Sequence, residues 1–275
     1  MTTTFGARLH AAVEDRGPLC AGIDPHESLL HGWGLDPDVA GLERFALTAA
    51  EALAPRVSVV KPQSAFYERF GSRGIAVLER VVATCRDAGA LVLLDVKRGD
   101  IGSTTQAYAD AYLDPASPIA ADAITASPYL GVGSLGPMVE TARKHGTGVF
   151  VLALTSNPEG AEVQEARSPA GDRPVADVVL DHLRVLNAAA EPLGSFGAVV
   201  GATVDPGGHD LSINGPILAP GYGAQGGTDA DLVRVFGPNL GHVLPSTSRE
   251  LLGAGPDGLA DAADRLNDRL RVVRG

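Results

Sequence analysis

Cysteine and aromatic residues are what this chain has least of. Among 275 residues there are two cysteines, one tryptophan and an aromatic content of 5%. Cys20 and Cys85 are too few for a disulfide framework or a cysteine-based zinc site. Cys20 lies in an apolar run and Cys85 in a helical pattern, so both are expected to be buried thiols of a reducing, cytoplasmic compartment. Positive charge is also short. Lys and Arg number 22 against 33 Asp and Glu, and the net charge of −11 argues against a general nucleic-acid binder, which needs a basic surface. It leaves room for a small basic pocket that takes an anion. No window approaches ~20 uninterrupted apolar residues, so no membrane span is expected. Residues 1–14 lack a basic start followed by an apolar stretch and do not read as a signal peptide. The seven histidines are scattered without metal-ligand spacing and read mostly as surface or loop residues.

What the chain does have is alternation. Short apolar runs at 19–23, 57–60, 91–94, 123–125, 149–154, 197–200 and 216–219, with a weaker eighth at 241–244, are separated by longer Ala/Leu-rich stretches. Near-continuous apolar runs are the signature of parallel strands covered on both faces. Residues 38–53, 74–88, 134–145, 174–190 and 257–273 carry helical spacing. Alternating strand and helix implies crossover connections. About eight such units in ~250 residues is the arithmetic of a (β/α)8 TIM barrel, an α/β fold. A doubly wound sheet would need fewer strands and usually a glycine fingerprint after the first. Here the first run ends Gly22-Ile23-Asp24-Pro25, without one. With no internal repeat and no linker, residues 1–275 are expected to form a single barrel domain with its active site at the C-terminal rim. Residues 157–173 read as a long polar loop of the kind that often serves as a lid, and 205–210 leave little room for a helix.

The runs turn polar at their C-terminal ends: Asp24, Lys61, Asp95, Lys97, Ser127 and Ser156. In a barrel that end carries the active site. Side chains alternate along a strand, so Leu91, Leu93, Asp95 and Lys97 share a face. The same parity groups Val57, Val59 and Lys61, and Leu152, Leu154 and Ser156. The sharpest constellation is Asp95-Val96-Lys97-Arg98-Gly99-Asp100-Ile101. A lysine among carboxylates stays protonated, which makes it a proton donor to a developing carbanion and a poor amine nucleophile. The same residues are also compatible with a salt-bridge cluster at a strand end. The second constellation is the glycine-rich stretch 220–227 followed by Ser246-Thr247-Ser248-Arg249. Loops after the last two barrel strands often bind phosphate through backbone N–H groups, and an arginine adds a forked contact. On its own, such a stretch is more often a turn beside a surface arginine.

These motifs resemble the orotidine 5′-phosphate decarboxylase family in its longer bacterial form. The likeness runs from Gly22-Ile23-Asp24-Pro25 to Arg249 and rests on Asp95-x-Lys97-x-x-Asp100-Ile101, on the stretch from Val60 to Glu68, and on Pro220-Gly221-x-Gly223-Ala224-Gln225-Gly226-Gly227. The resemblance implies a (β/α)8 homodimer that removes CO2 from orotidine 5′-phosphate to give UMP, the last step of de novo pyrimidine synthesis, with no metal or organic cofactor. It implies that Lys97 protonates the ring carbon and that Asp95 stands beside the departing carboxylate. Asp100 would reach the neighbouring subunit's site, with Thr104 near it on the ribose. Asp24 and Lys61 would lie on the ribose side, Lys61 also belonging to the charged array. Ser156 would read the pyrimidine amide, Gln225 would bridge base and phosphate, and Arg249 would hold the phosphate. Two departures stand out: Ser246-Thr247-Ser248-Arg249 replaces a compact Gly-Arg turn, and 157–173 is longer than in shorter relatives. The competing readings are a Mg²⁺-dependent sugar-phosphate lyase or decarboxylase of the same barrel type, a Schiff-base aldolase, and a nucleotide-binding barrel without catalysis.

Overall fold

The computed structural model describes residues 3–169, 171–223 and 226–275. Eight parallel strands close into a barrel: β1 (Cys20–Ile23), β2 (Val59–Pro62), β3 (Leu91–Arg98), β4 (Ala123–Ala126), β5 (Gly148–Leu154), β6 (Phe196–Val200), β7 (Ile217–Pro220) and β8 (Val243–Thr247). Each strand pairs with its neighbour in sequence, and β8 pairs with β1 through Cys20 opposite Ser246 to close the ring. The fold read from the alternation is therefore the fold observed.

The two faces of the strands build two apolar layers. Cys20, Val59, Leu91, Leu93, Ala123, Phe150, Val199, Leu218 and Leu244 fill the barrel interior. Val60, Val92, Leu94, Ile124, Val151, Ala198 and Ile217 point outward to the helices, among them Val39–Leu53, Gly71–Asp87, Val175–Asn187 and Leu259–Arg274. Truncating an interior leucine or phenylalanine to alanine costs about 2–5 kcal/mol where the cavity cannot collapse.

One end of the barrel is plugged. Helix α1 (Phe5–Arg16) begins at Thr4, whose hydroxyl accepts from the Ala7 N–H at 3.3 Å. Its face of Phe5, Leu9 and Val13 packs into the interior layer. Phe5 meets Phe150 edge-to-face at 5.9 Å, and a side chain at Gly148 would stand 2.4 Å from the Phe5 ring. The N-terminal end is thus closed by hydrocarbon, and polar chemistry is left to the opposite mouth.

The structure departs from the sequence reading in several places. The eighth strand is Val243–Thr247 rather than 241–244, because Gly237–His242 forms a 3₁₀ turn and the polar Ser246 and Thr247 are buried within the strand. Val57 packs with the outer layer, since the second strand begins only at Val59. Leu154 likewise packs outward. A register shift on β5 between Leu152 and Leu154 breaks the alternation there. The stretch 157–173 has structure of its own: Pro158–Gly160 and Ala161–Gln164 form helical turns, and Arg167–Ser168 pairs antiparallel with Arg173–Pro174. Among the described residues, three helices of eight residues or more carry no reading from the sequence: Phe5–Arg16, Gly102–Leu113 and Asp229–Phe236. Among the described residues, no helix is long and apolar enough to cross a membrane.

Candidate active site

The open mouth holds a cavity of about 390 Å³ that draws on the C-terminal ends of all eight strands. Its floor is the uppermost interior layer, Leu152, Val199 and Leu218, and its walls are charged or hydroxylated. An apolar floor beneath ionic walls lowers the local dielectric and strengthens the charge interactions above it.

Strand β3 supplies the centre. Asp95 continues the inward parity of Leu91 and Leu93 and is buried. Its Oδ1 accepts from Lys97 Nζ at 2.6 Å and from the Thr125 hydroxyl at 2.7 Å, and its Oδ2 from Lys61 Nζ at 3.2 Å. Burial alone would raise the Asp95 pKa. The Lys61 and Lys97 ammoniums and the donated hydrogen bonds outweigh it and hold the carboxylate well below its usual range. Lys61, on β2, lies between Asp95 and Asp24, whose Oδ1 is 3.9 Å away. Burial opposes its charge, but the two aspartates prevail and keep the ammonium protonated above the ordinary lysine range. Asp24 follows β1, and its buried Oδ1 has no hydrogen-bond partner among the described residues.

The two lysines differ in reach. The Lys61 side chain is 6% exposed and that of Lys97 is 46% exposed. Lys61 is fixed in the wall, whereas Lys97 presents its ammonium to the cavity. Lys97 also has φ of 45°, in the left-handed region that few side-chain-bearing residues occupy. That backbone turn folds the ammonium back onto Asp95, two residues earlier.

The glycine-rich and serine-rich segments sit across the mouth. Ser246 and Thr247 on β8, then Ser248 and Arg249, line the cavity together with Pro220, Gly221 and Tyr222 after β7. Arg249 opens a four-residue helical turn, Arg249–Leu252. The turn approaches β1 so closely that a side chain at Gly22 would lie 2.6 Å from the Ser248 Cβ, which explains the glycine there. Tyr222 anchors its loop from below, its hydroxyl donating to Asp229 and accepting from Arg269.

Five of the residues expected from the sequence therefore meet in one cavity: Asp24, Lys61, Asp95, Lys97 and Arg249. Asp100, Thr104 and Ser156 do not line it. Asp100 accepts from the Ile101 N–H at 2.8 Å, Thr104 is exposed on the first turn of Gly102–Leu113, and Ser156 is exposed beside Gly201, while its neighbour Thr155 lines the cavity. Gln225 lies outside the described residues. Sequence reasoning missed Gln63, Phe66, His26, Thr125 and Thr155, all of which line the cavity. His26 meets Phe66 edge-on, ring centres 4.3 Å apart, and burial lowers its pKa. Its place two residues beyond Asp24, at the end of β1, was the available signal.

Fold and site together define a (β/α)8 barrel of the catalytic kind: a plugged floor, a charged Lys/Asp array at the strand C-termini and a hydroxyl-rich corner with Arg249 after the last strand. Comparison with known proteins gives the family. The orotidine 5′-phosphate decarboxylase / HUMPS family profile matches residues 17–262. Orotidine 5′-phosphate decarboxylase from Nocardioides sp. is 69% identical over 270 residues, covering 97% of this chain and 98% of the relative. The enzyme of the same name from Streptomyces coelicolor is 62% identical, covering 98% of each. Among solved structures, a provisionally assigned orotidine 5′-phosphate decarboxylase from Streptomyces avermitilis superposes with a TM-score of 0.97 at 60% identity, covering 99% of this chain and 96% of that one. Leishmania donovani OMP decarboxylase superposes with a TM-score of 0.78 at 30% identity, covering 99% of each chain. The chain belongs to the orotidine 5′-phosphate decarboxylase family.

Proposed function

We propose that this protein is a carboxy-lyase that converts orotidine 5′-phosphate to UMP and CO2 in UMP biosynthesis, with Lys97 as its proton donor. The observation that carries the reading is the Lys97 ammonium, accessible to the cavity and 2.6 Å from Asp95, with Lys61 buried behind it and Arg249 across the mouth. In the reaction the bond between the ring carbon and the carboxylate breaks, CO2 leaves, and the electron pair stays on the ring carbon. Lys97 Nζ–H then delivers the proton that replaces CO2. A vinyl-type carbanion has little resonance relief, so the barrier is high and each ~1.4 kcal/mol removed gives tenfold in rate. A preorganised ammonium placed where that charge develops acts on the transition state more than on the ground state. Asp95 orients both lysines and adjoins the departing carboxylate.

Arg249 and the hydroxyls of Ser246 and Ser248 are assigned to the phosphate, and Asp24 and Lys61 to the ribose side. Gln225 is assigned to the bridge between base and phosphate, and Ser156 to the pyrimidine amide, which requires its segment to turn inward over bound substrate. Phosphate binding remote from the reacting carbon is a source of energy for such closure.

Asp100 and Thr104 are assigned to the site of a second subunit in a homodimer. Asp100 is half-buried and Thr104 exposed, and both lie outside their own cavity, which supports this. So does their surface: Ser127 N–H donates to Arg98 O, a side chain at Gly99 would clash with Ser127 O, and the two adjoining loops carry the exposed apolar residues Ile101, Tyr129 and Leu130. Both cysteines are buried and unpaired, their thiol pKa values pushed up to about 12 by burial, in keeping with a cytoplasmic setting.

The test is an absorbance assay with orotidine 5′-phosphate, run with and without EDTA. Turnover insensitive to EDTA is the expected result. Loss of activity in EDTA would move the protein to the Mg²⁺-dependent sugar-phosphate branch, and UMP binding without turnover would make it a non-catalytic barrel.

A further inference from the structure

We propose that Thr125 on β4 is a positioning residue for the reaction: its hydroxyl locks the backbone turn that holds Lys97 in place and fixes the Asp95 oxygen on which the ammonium rests. The assignment rests on the decarboxylase reading above.

The main-chain ladder fails just where the lysine is needed. Leu94 pairs with Ile124 and Arg98 with Ala126, so four residues of advance on β3 oppose two on β4. The surplus backbone bulges, and Lys97 takes up φ of 45° within it. The Lys97 N–H then has no ladder partner and donates instead to Thr125 Oγ1 at 2.9 Å. The same hydroxyl donates its single proton to Asp95 Oδ1 at 2.7 Å, and that oxygen also accepts from Lys97 Nζ at 2.6 Å. These three bonds close a ring that joins the backbone of Lys97 to its own ammonium. One hydroxyl satisfies both ends because it donates and accepts at once.

Thr125 suits this task. It follows Ala123 at inward parity and is 1% exposed, so its χ1 is fixed by burial and β-branching. A hydroxyl at that depth costs free energy unless it is paired, and here it is paired twice. Valine would fill the same volume and suit the strand better, but it would leave the Lys97 N–H and one Asp95 oxygen short of a partner. A proton donor displaced by about 1 Å loses roughly a hundredfold in rate.

The experiment compares Thr125→Val, Thr125→Ser and wild type in steady-state turnover of orotidine 5′-phosphate, with UMP affinity and Tm measured alongside. In Thr125→Val, kcat is expected to fall about thirty- to a hundredfold while KM and UMP affinity change less than about threefold. Thr125→Ser, which keeps the hydroxyl, is expected to recover kcat to within about fivefold of wild type. Unchanged kcat in Thr125→Val would overturn the assignment. So would a matched loss of kcat, UMP affinity and Tm that serine fails to recover. If the valine variant does not fold, Thr125→Ala and Thr125→Ser decide: equal activity in the two overturns it. Wild-type protein that turns over no orotidine 5′-phosphate would remove the decarboxylase reading itself, and this assignment with it.

Discussion

At the scale of single residues, the site works by giving like side chains unlike settings. Lys61 and Lys97 both rest on Asp95, yet one is sealed in the wall and the other faces the cavity. A buried charge with two carboxylate neighbours is held in one state and one place, which suits a fixed electrostatic element. A half-exposed ammonium with one short bond can give up a proton and be recharged from solvent, which suits a donor. Lys97→Ala is therefore expected to lower kcat by roughly a thousandfold or more while UMP still binds. Arg249→Ala is expected to act the other way, raising KM about ten- to a hundredfold through loss of a charged hydrogen bond to phosphate. Steady-state kinetics of the two variants, with UMP titration, separate these effects. Near-normal turnover by Lys97→Ala would end its assignment as proton donor, and unchanged KM and kcat in Arg249→Ala would remove that residue from the phosphate corner.

At the scale of elements, the rim segments are held by side chains rather than by the barrel. His209, in the short connection after β6, is clasped between two elements of the 157–187 region: its Nδ1 meets Asp177 at 2.7 Å and its Nε2 meets Glu165 at 3.1 Å. Asp205 flanks the same pocket, and Arg173 lies 3.8 Å from Asp177. Burial lowers the imidazole pKa, but the bonds to Asp177 and Glu165 outweigh it, so the net shift is upward. A group whose pKa is raised on folding stabilises fully below its unfolded value, about 6.5, and loses that contribution as pH rises through the raised value. Above it, the neutral ring has one N–H for two carboxylates. His209→Gln is thus expected to speed limited proteolysis within 161–169 at pH 6 and to leave it little changed at pH 9. An equal effect at both pH values would show that the clasp does not depend on the imidazolium. None of this was legible in the sequence, because Glu165, Asp177 and His209 are far apart along the chain. The strands were legible, since a strand covered on both faces has to be apolar throughout. So was the central array, because period-two parity carries Leu91 and Leu93 directly to Asp95. Parity failed where β5 bulges, at Leu154, since a bulge is a pairing event between strands, whereas the bulge on β3 leaves Lys97 in the cavity with Asp95 as parity had it. Gly102–Leu113 escaped because its buried positions are Thr105, Ala109 and Leu113, too weakly apolar to mark a face.

At the scale of the whole molecule, the net charge of −11 and the cationic mouth belong to one design. Lys61, Lys97 and Arg249 gather positive charge in a single cavity of a chain whose net charge is acidic, which argues against a general polyanion binder and for a small anionic ligand. A doubly or triply charged nucleotide is attracted to that cationic cavity. The remaining question of scale is whether a site is complete within one chain. Asp100 stands outside its own cavity beside exposed Ile101, and the loops after β3 and β4 offer apolar surface next to it. If Asp100 completes a partner's site, an inactive Lys97→Ala chain and an inactive Asp100→Ala chain damage opposite halves of the shared site. A mixed dimer then holds one doubly damaged site and one intact site. Random mixing makes about half the dimers mixed, so refolding the two variants together is expected to restore about one quarter of wild-type activity per site. Each variant refolded alone stays inactive, and light scattering should give the mass of two chains. Recovery near zero from a mixture shown to contain mixed dimers would place Asp100 in its own subunit's chemistry. A monomeric mass at assay concentration with full wild-type activity would do the same, because a complete site would then need only one chain.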